Sequence, residues 1–140
     1  MYLKAGRPRT VLDPYEWLPG YGESGVQIRT EKGSCWTVEI TYDDESRSKL
    51  WKRNLRFSGV CSFYQASFPG VNTLALHLEA SEDLGSLVEY PESEAALEWR
   101  KHFQNLFAIK HYLIYFLSEN LVLQVFAESV ILTEPVLVET

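Results

Sequence analysis

The feature that most constrains the fold of this chain is a strict alternation of apolar and polar residues between positions 26 and 42. Val26 and Ile28 are separated by polar neighbours, and the same alternation resumes at Trp36 and continues to Tyr42. A period of two is typical of β-strands with one buried face, and the lysine–glycine pair between the two runs indicates a hairpin turn. A chain with this pattern builds its core from sheets.

More strand patterns follow along the chain. They occupy residues 53–64, 74–79, 111–117 and 121–127, and a last short one follows Pro135. Gly59 interrupts the first of these segments and predicts a bulge or a close approach of two chain segments. The segment 111–117 is apolar on both faces, which predicts a central strand.

Residues 93–106 have the pattern of a helix. Ser93 is a suitable N-cap, and Glu94 follows it at the end of the helix dipole that favours acidic side chains. The apolar residues recur at intervals of three and four and form one stripe, which consists of Ala96, Trp99, Phe103 and Leu106. We expect this stripe to face the core.

These elements predict an α+β domain. We expect a mainly antiparallel, curved sheet of about six or seven strands, with the late helix of residues 93–106 packed on it. A parallel sheet would need several crossover helices, and this chain has one helix pattern. The length of 140 residues fits a single domain, 1–140, in which residues 1–10 are a candidate flexible tail.

Charge is unevenly distributed along the chain. The net charge is −6, which argues against general nucleic-acid binding. Residues 1–56 carry ten basic and eight acidic side chains (10 − 8 = +2), whereas residues 57–140 carry three and eleven (3 − 11 = −8). The basic residues between positions 47 and 56 lie beside three acidic ones, and we interpret this stretch as an exposed, charged edge strand.

No motif predicts an enzyme or a cofactor site. Residues 20–25 read G-x-G-x-x-G, but a strand pattern follows them where a dinucleotide site requires a helix. Glu98 and His102 are neighbours on one helix face, and His77 and Glu79 share one face of a predicted strand. Solvated polar faces are the simpler interpretation of both pairs, so we assign no catalytic residue, no cofactor and no metal ligand.

The two cysteines and the start of the chain bear on the compartment. Cys35 and Cys61 have apolar or aromatic neighbours, which predicts buried free thiols. The first ten residues are basic and lack the apolar run of a secretory signal, and no run elsewhere is long enough to span a membrane. These features predict a cytoplasmic protein.

An acidic series and an aromatic group are the candidate partner-binding residues. Positions 79–98 hold seven carboxylates and no basic residue, a composition that favours docking on a basic surface but also suits a solvated loop. Tryptophan and tyrosine dominate binding hot spots, although aromatic residues also cover sheet ends. The residues that we select are Glu82, Asp83, Glu89, Glu92, Glu98, Trp17 and Tyr21.

Together these observations favour a non-enzymatic protein-interaction module. The concrete hypothesis is a bacterial-type inhibitor or immunity-like protein that masks a basic surface on its partner. One alternative is a curved sheet or barrel that binds a small hydrophobic ligand, since aromatic residues make up 14% of the chain. A second alternative is a small hydrolase-like enzyme that uses histidine and carboxylates. A homodimer through an exposed edge strand is compatible with all three.

Overall fold

The fold is described from a computed structural model, which covers residues 6–13, 24–31, 33–44, 48–67, 86–116 and 121–138. The predicted strand 74–79 lies outside these residues. So do His77, Glu82 and Asp83, and the predicted anchors Trp17 and Tyr21.

Ten strands and one helix make up the described part of the chain. In chain order they are β1 (Arg9–Leu12), β2 (Gly25–Glu31), β3 (Cys35–Asp43), β4 (Leu50–Ser58), β5 (Ser62–Ser67), β6 (Leu87–Glu89), α1 (Glu94–His102), β7 (Lys110–Phe116), β8 (Leu121–Ala127), β9 (Ser129–Leu132) and β10 (Val136–Leu137). The first sheet has the order β1-β6-β7-β8-β5. The second has the order β10-β4-β3-β2, and β9 also pairs with β4. All pairs are antiparallel.

The predicted hairpin is confirmed as β2 and β3. Val26 pairs with Ile40 and Ile28 pairs with Val38, so the alternating apolar residues of both strands share one face. Gly33 lies in the connection with φ +79°, a conformation that a residue without Cβ adopts at little cost. The prediction of a central strand at 111–117 is also confirmed, because β7 lies in the middle of the first sheet.

The prediction of one strand over residues 53–64 is wrong, because the chain changes sheets at Gly59. β4 ends at Ser58 in the second sheet, and β5 begins at Ser62 in the first. Gly59 has φ +64°, and a Cβ there would lie 2.6 Å from Cγ of Glu128. The close approach predicted for Gly59 is therefore confirmed.

A second chain segment changes sheets at the same corner. β8 continues into β9 through Glu128, and the amide of Glu128 donates to the carbonyl of Ser58 at 3.0 Å. β4–β5 and β8–β9 thus form one long antiparallel ribbon that bends from one sheet into the other. The expectation that residues 47–56 form an edge strand is wrong for this reason, since β9 and β10 cover the outer side of β4.

The two sheets pack face to face around the main core. The second sheet contributes Val38, Ile40, Leu55 and Phe57, and the first contributes Leu87, Tyr112, Ile114, Phe116, Leu123, Val125 and Ala127. Each large apolar side chain that is fully buried contributes about 1.5–3 kcal/mol to stability. The apolar face predicted from alternation is the face that meets the opposite sheet.

The helix packs on the other face of the first sheet. Ala96 and Phe126 share a smaller core, against which Trp99 and Phe103 pack. The predicted N-cap Ser93 is confirmed, but the helix ends at His102 rather than at Leu106. Gln104 and Asn105 follow with φ of 55° and 59°, which reverses the chain. Leu106 therefore leaves the predicted stripe and is 76% exposed.

The α+β class and the antiparallel pairing are confirmed, whereas the predicted single sheet of about six or seven strands is wrong. Ten strands form two sheets in the described residues. The short strand expected after Pro135 is confirmed as β10, whereas β6 holds too few residues to show a period. No helix in the described residues is long and apolar enough to cross a membrane.

Candidate functional site

The helix α1 and the turn after it bring together exposed carboxylates and exposed apolar side chains. We call residues 92–107 the helix surface. Ser93 fixes the start of the helix, because its Oγ accepts a hydrogen bond from the amide of Ala96 at 3.1 Å. Glu94 lies in the first turn, and Arg100, Lys101 and His102 lie in the last, as the helix dipole favours.

A buried chain of hydrogen bonds holds this helix start on the first sheet. Oγ of Ser93 lies 2.8 Å from Nδ1 of His111, and Nε2 of His111 contacts Oε1 of Gln124. Because Gln124 presents an acceptor, Nε2 of the neutral ring carries the proton and Nδ1 accepts from the Ser93 hydroxyl. All three residues are buried. Oγ of Ser93, both ring nitrogens of His111 and Oε1 of Gln124 each have a hydrogen-bond partner.

Burial keeps His111 neutral. The ring is 1% exposed and stacks on Phe126 with centroids 4.4 Å apart. Tyr90 lies on another side, with centroids 4.8 Å apart. Burial lowers the pKa of His111 from 6.5 to about 4, although the hydrogen bond to Gln124 acts in the opposite direction.

The order serine, histidine and amide is that of a nucleophile, a base and an orienting group. In this protein the three residues stabilise the fold instead. Ser93 is 2% exposed, so its Oγ does not meet solvent, and the oxygen already caps α1. We assign Ser93, His111 and Gln124 to positioning the helix surface.

Sequence reasoning missed His111 and Gln124. Gln124 alternates with apolar residues in the segment 121–127, a pattern typical of a face that meets water, but it is 2% exposed. The available signal was a histidine in the otherwise apolar segment 111–117 and a glutamine in the next strand. In the register, Gln124 pairs with Leu113, which places it diagonally beside His111 on one face.

Aromatic side chains in the last turns of the helix and in the turn after it contact one another. The rings of Trp99 and Phe103 are 6.1 Å apart, and those of Phe103 and Phe107 are 5.4 Å apart in an edge-to-face arrangement. Phe107 is 45% exposed and Leu97 is 40% exposed. Leu106 and Phe107, which are adjacent in the chain, form an exposed apolar patch beyond the helix, whereas Leu97 lies on α1 itself.

The predicted carboxylates are divided between surface and interior. Glu92 and Glu98 are exposed, and Glu98 lies 3.5 Å from Lys101. Glu94, which also belongs to the acidic series, is exposed beside them. Glu89 is 8% exposed, and its Oε1 accepts from Arg9 at 2.7 Å, so this carboxylate joins β6 to β1. The structure brings Glu92 and Glu98 onto the helix surface and places Glu89 apart from them.

The cysteines are free, as predicted, but they are half-buried rather than buried. The Cys61 thiol donates to the carbonyl of Phe126 at 3.4 Å, and burial raises its pKa. A thiol with a raised pKa is a poor nucleophile at neutral pH. Within the described ranges, no group of three or more histidine, cysteine or acidic residues could hold a metal ion.

Comparison with known proteins adds no assignment. No protein-family model matches the chain, and no curated protein or solved structure matches it either. The helix surface is therefore interpreted from its own chemistry: a capped and anchored helix, exposed carboxylates near its start and an exposed apolar patch beyond its end.

Proposed function

We propose that this protein is a protein-binding module that uses the helix surface to dock on a partner with a basic rim around an apolar pocket. The exposed apolar patch beyond α1 is the observation that carries the proposal. Leu106 is 76% exposed, and its neighbour in the chain, Phe107, is 45% exposed. Burying such side chains in a partner's pocket would supply the hydrophobic part of the binding free energy.

The carboxylates would supply steering and orientation. Glu92 and Glu94 are exposed and precede the patch in the chain, whereas Glu98 forms an ion pair with Lys101. Complementary charge raises association rates more than it raises affinity, and salt screens it. An inhibitor or immunity-like role, in which the helix surface masks the active surface of a basic protein, is the specific form of this proposal.

The remaining candidates and the compartment extend the same proposal. Glu82, Asp83, Trp17 and Tyr21 stay proposed as further partner contacts, whereas the buried Glu89 would act only by holding β6 to β1 through Arg9. The two free thiols suit a reducing compartment, which supports a location in the cytoplasm.

The test compares matched surface variants. The partner that wild-type protein captures from cells of its source is identified, purified and used in binding kinetics. Leu106→Ser with Phe107→Ser should weaken binding at least roughly tenfold, mainly through faster dissociation. Glu92→Gln with Glu94→Gln should slow association and flatten its dependence on salt.

The control is Ile131→Ser, which removes an apolar side chain that is 57% exposed, between Leu106 and Phe107 in exposure, from β9 in the second sheet. It should bind like the wild type. A partner that binds the Leu106→Ser and Phe107→Ser variant as tightly as the wild type would show that the proposed site is wrong.

A further inference from the structure

The strand β2 is the longest edge strand in the described part of the chain. It has seven residues, and each of them pairs with β3 without a register shift. Among the other outer strands, β1 contains a register shift, and β9 and β10 have four and two residues. The outer strand β5 pairs regularly with β8 but is one residue shorter than β2. Regular, unprotected edges are the places where sheets recruit another strand.

The hydrogen bonds of the second sheet show which groups β2 presents at its edge. Thr133 donates from its amide to the carbonyl of Asn54 at 2.9 Å, so the backbone of Asn54 points toward β9. The direction of the backbone N–H and C=O groups alternates along an antiparallel strand, so those of Leu55 point toward β3. Leu55 pairs with Val38, so the backbone groups of Val38 point toward β4. Those of the next residue, Thr37, therefore point toward β2, where they meet the backbone groups of its partner Arg29.

The same alternation along β2 leaves every second residue facing outward. Gly25, Gln27, Arg29 and Glu31 use their backbone groups on β3. The N–H and C=O groups of Val26, Ile28 and Thr30 point away from the sheet. No described strand lies on that side of β2.

We propose that β2 pairs with β2 of a second copy of this chain, antiparallel and centred on Ile28, to form a two-fold symmetric dimer with one continuous sheet. In this register Ile28 lies opposite its own counterpart, and Val26 lies opposite Thr30 of the second copy. All three outward-facing residues then find partners, and the two strands exchange about six backbone hydrogen bonds.

The side chains fit this register. The outward-facing residues form pairs of β-branched side chains, which pack well across strands. On the other face Gln27 lies opposite Arg29 of the second copy, and Glu31 lies opposite Gly25. No two like charges are directly opposed. Arg29 is also balanced within its own chain by Glu39, at 3.2 Å.

The first test measures mass and amide hydrogen exchange over a range of protein concentrations. We expect a reversible monomer–dimer equilibrium. The amides of Val26, Ile28 and Thr30 should become protected as the dimer forms, whereas those of Gln27 and Arg29 should be protected at every concentration. A protein that stays monomeric, or outward amides that are equally protected in dilute protein, would overturn the proposal.

A pair of charge variants tests the register. Gln27→Arg places an arginine opposite Arg29 of the second copy and should weaken dimerisation roughly three- to tenfold, whereas Gln27→Glu should strengthen it by a similar factor. Within the monomer Gln27 pairs with Glu39, so the thermal stability of dilute protein should change in the opposite direction. If dimer affinity follows monomer stability instead, the register is wrong.

Thr30→Pro tests the edge itself. Proline at an outward-facing position leaves the bonds to β3 in place and removes a donor that the second strand needs. This variant should stay folded and monomeric, while Thr30→Ser should dimerise like the wild type. A folded Thr30→Pro protein that still dimerises with wild-type affinity would show that the dimer uses another surface.

Discussion

The outer faces of the two sheets differ in burial and in charge. On the first sheet the face away from the main core is apolar and buried, with Leu113, Tyr115 and Val122 each 2% exposed or less. On the second sheet the corresponding face carries ion pairs, such as Arg29 with Glu39. The central strands β7 and β8 of the first sheet are therefore buried on both faces, whereas the second sheet is buried on one.

This difference separates two kinds of polar interaction. The polar groups on the outer face of the first sheet lie in a low-dielectric interior, where an unsatisfied group costs about 1–3 kcal/mol. The charged groups of the second sheet are close to water, which solvates them and weakens their attraction. Comparable substitutions in the two regions should therefore have very different effects on the free energy of unfolding.

The largest expected effect is that of His111→Ala. The substitution leaves a cavity between Phe126 and Tyr90 and removes the partner of the buried Gln124 carbonyl. We expect a loss of about 3–5 kcal/mol in the free energy of unfolding, measured by urea titration.

The double variant His111→Leu with Gln124→Leu is the control, since it removes the polar pair and keeps the volume. It should recover part of the loss. Equal destabilisation by the single and the double variant would contradict a cost that arises from an unsatisfied polar group.

The pH dependence of stability provides the second test. The pKa of His111 is about 4 in the folded protein and 6.5 when the ring is exposed, so the unfolded chain binds the proton more tightly. The contribution of the neutral ring to the free energy of unfolding is complete above pH 6.5 and is lost as the pH falls toward 4. The difference between the two pKa values corresponds to about 3 kcal/mol in the free energy of unfolding.

Urea titrations at several pH values measure this loss. The variant His111→Gln cannot titrate and should show a flatter decline between neutral and acidic pH. The carboxylates contribute equally in both proteins, so the difference between the two curves isolates His111. Parallel curves would mean that His111 has an ordinary pKa in the folded protein.

The comparison of the two faces also shows which features the sequence could predict. The hairpin of β2 and β3 and the N-cap Ser93 depend on residues that are close in the chain. A short stretch of sequence therefore contains the whole pattern that predicts each of them. The end of α1 was predicted less well, because Leu106 continues the apolar spacing while the backbone at Gln104 and Asn105 has already left the helix.

Features that depend on distant residues could not be predicted in this way. The bend at Gly59 is visible as a glycine, but its change of sheet depends on Glu128, which lies far along the chain. The burial of Gln124 depends on His111 and on the helix above it. Alternation identifies a polar residue as facing away from the main core, and only the packing of α1 determines whether that face meets water.

The third prediction compares two ion pairs. Arg9 binds Glu89, whose side chain is 10% exposed, whereas Arg29 binds Glu39 on the open face of the second sheet. Arg9→Gln should lower the free energy of unfolding by about 1–3 kcal/mol, because it leaves a largely buried carboxylate without its partner. The double variant Arg9→Gln with Glu89→Gln should restore part of this loss, and its failure to do so would contradict the buried-charge explanation.

The smallest expected effect is that of Arg29→Gln. The Arg29 side chain is 54% exposed and its guanidinium lies 3.2 Å from Glu39, so removing it should cost no more than about 1 kcal/mol. Urea titration of dilute protein measures this cost without a contribution from association through β2. Salt screens exposed charges, so the cost should shrink at high ionic strength, while that of Arg9→Gln should change little. A loss as large as that of Arg9→Gln, or one that salt leaves unchanged, would show that the outer face of the second sheet is covered in solution.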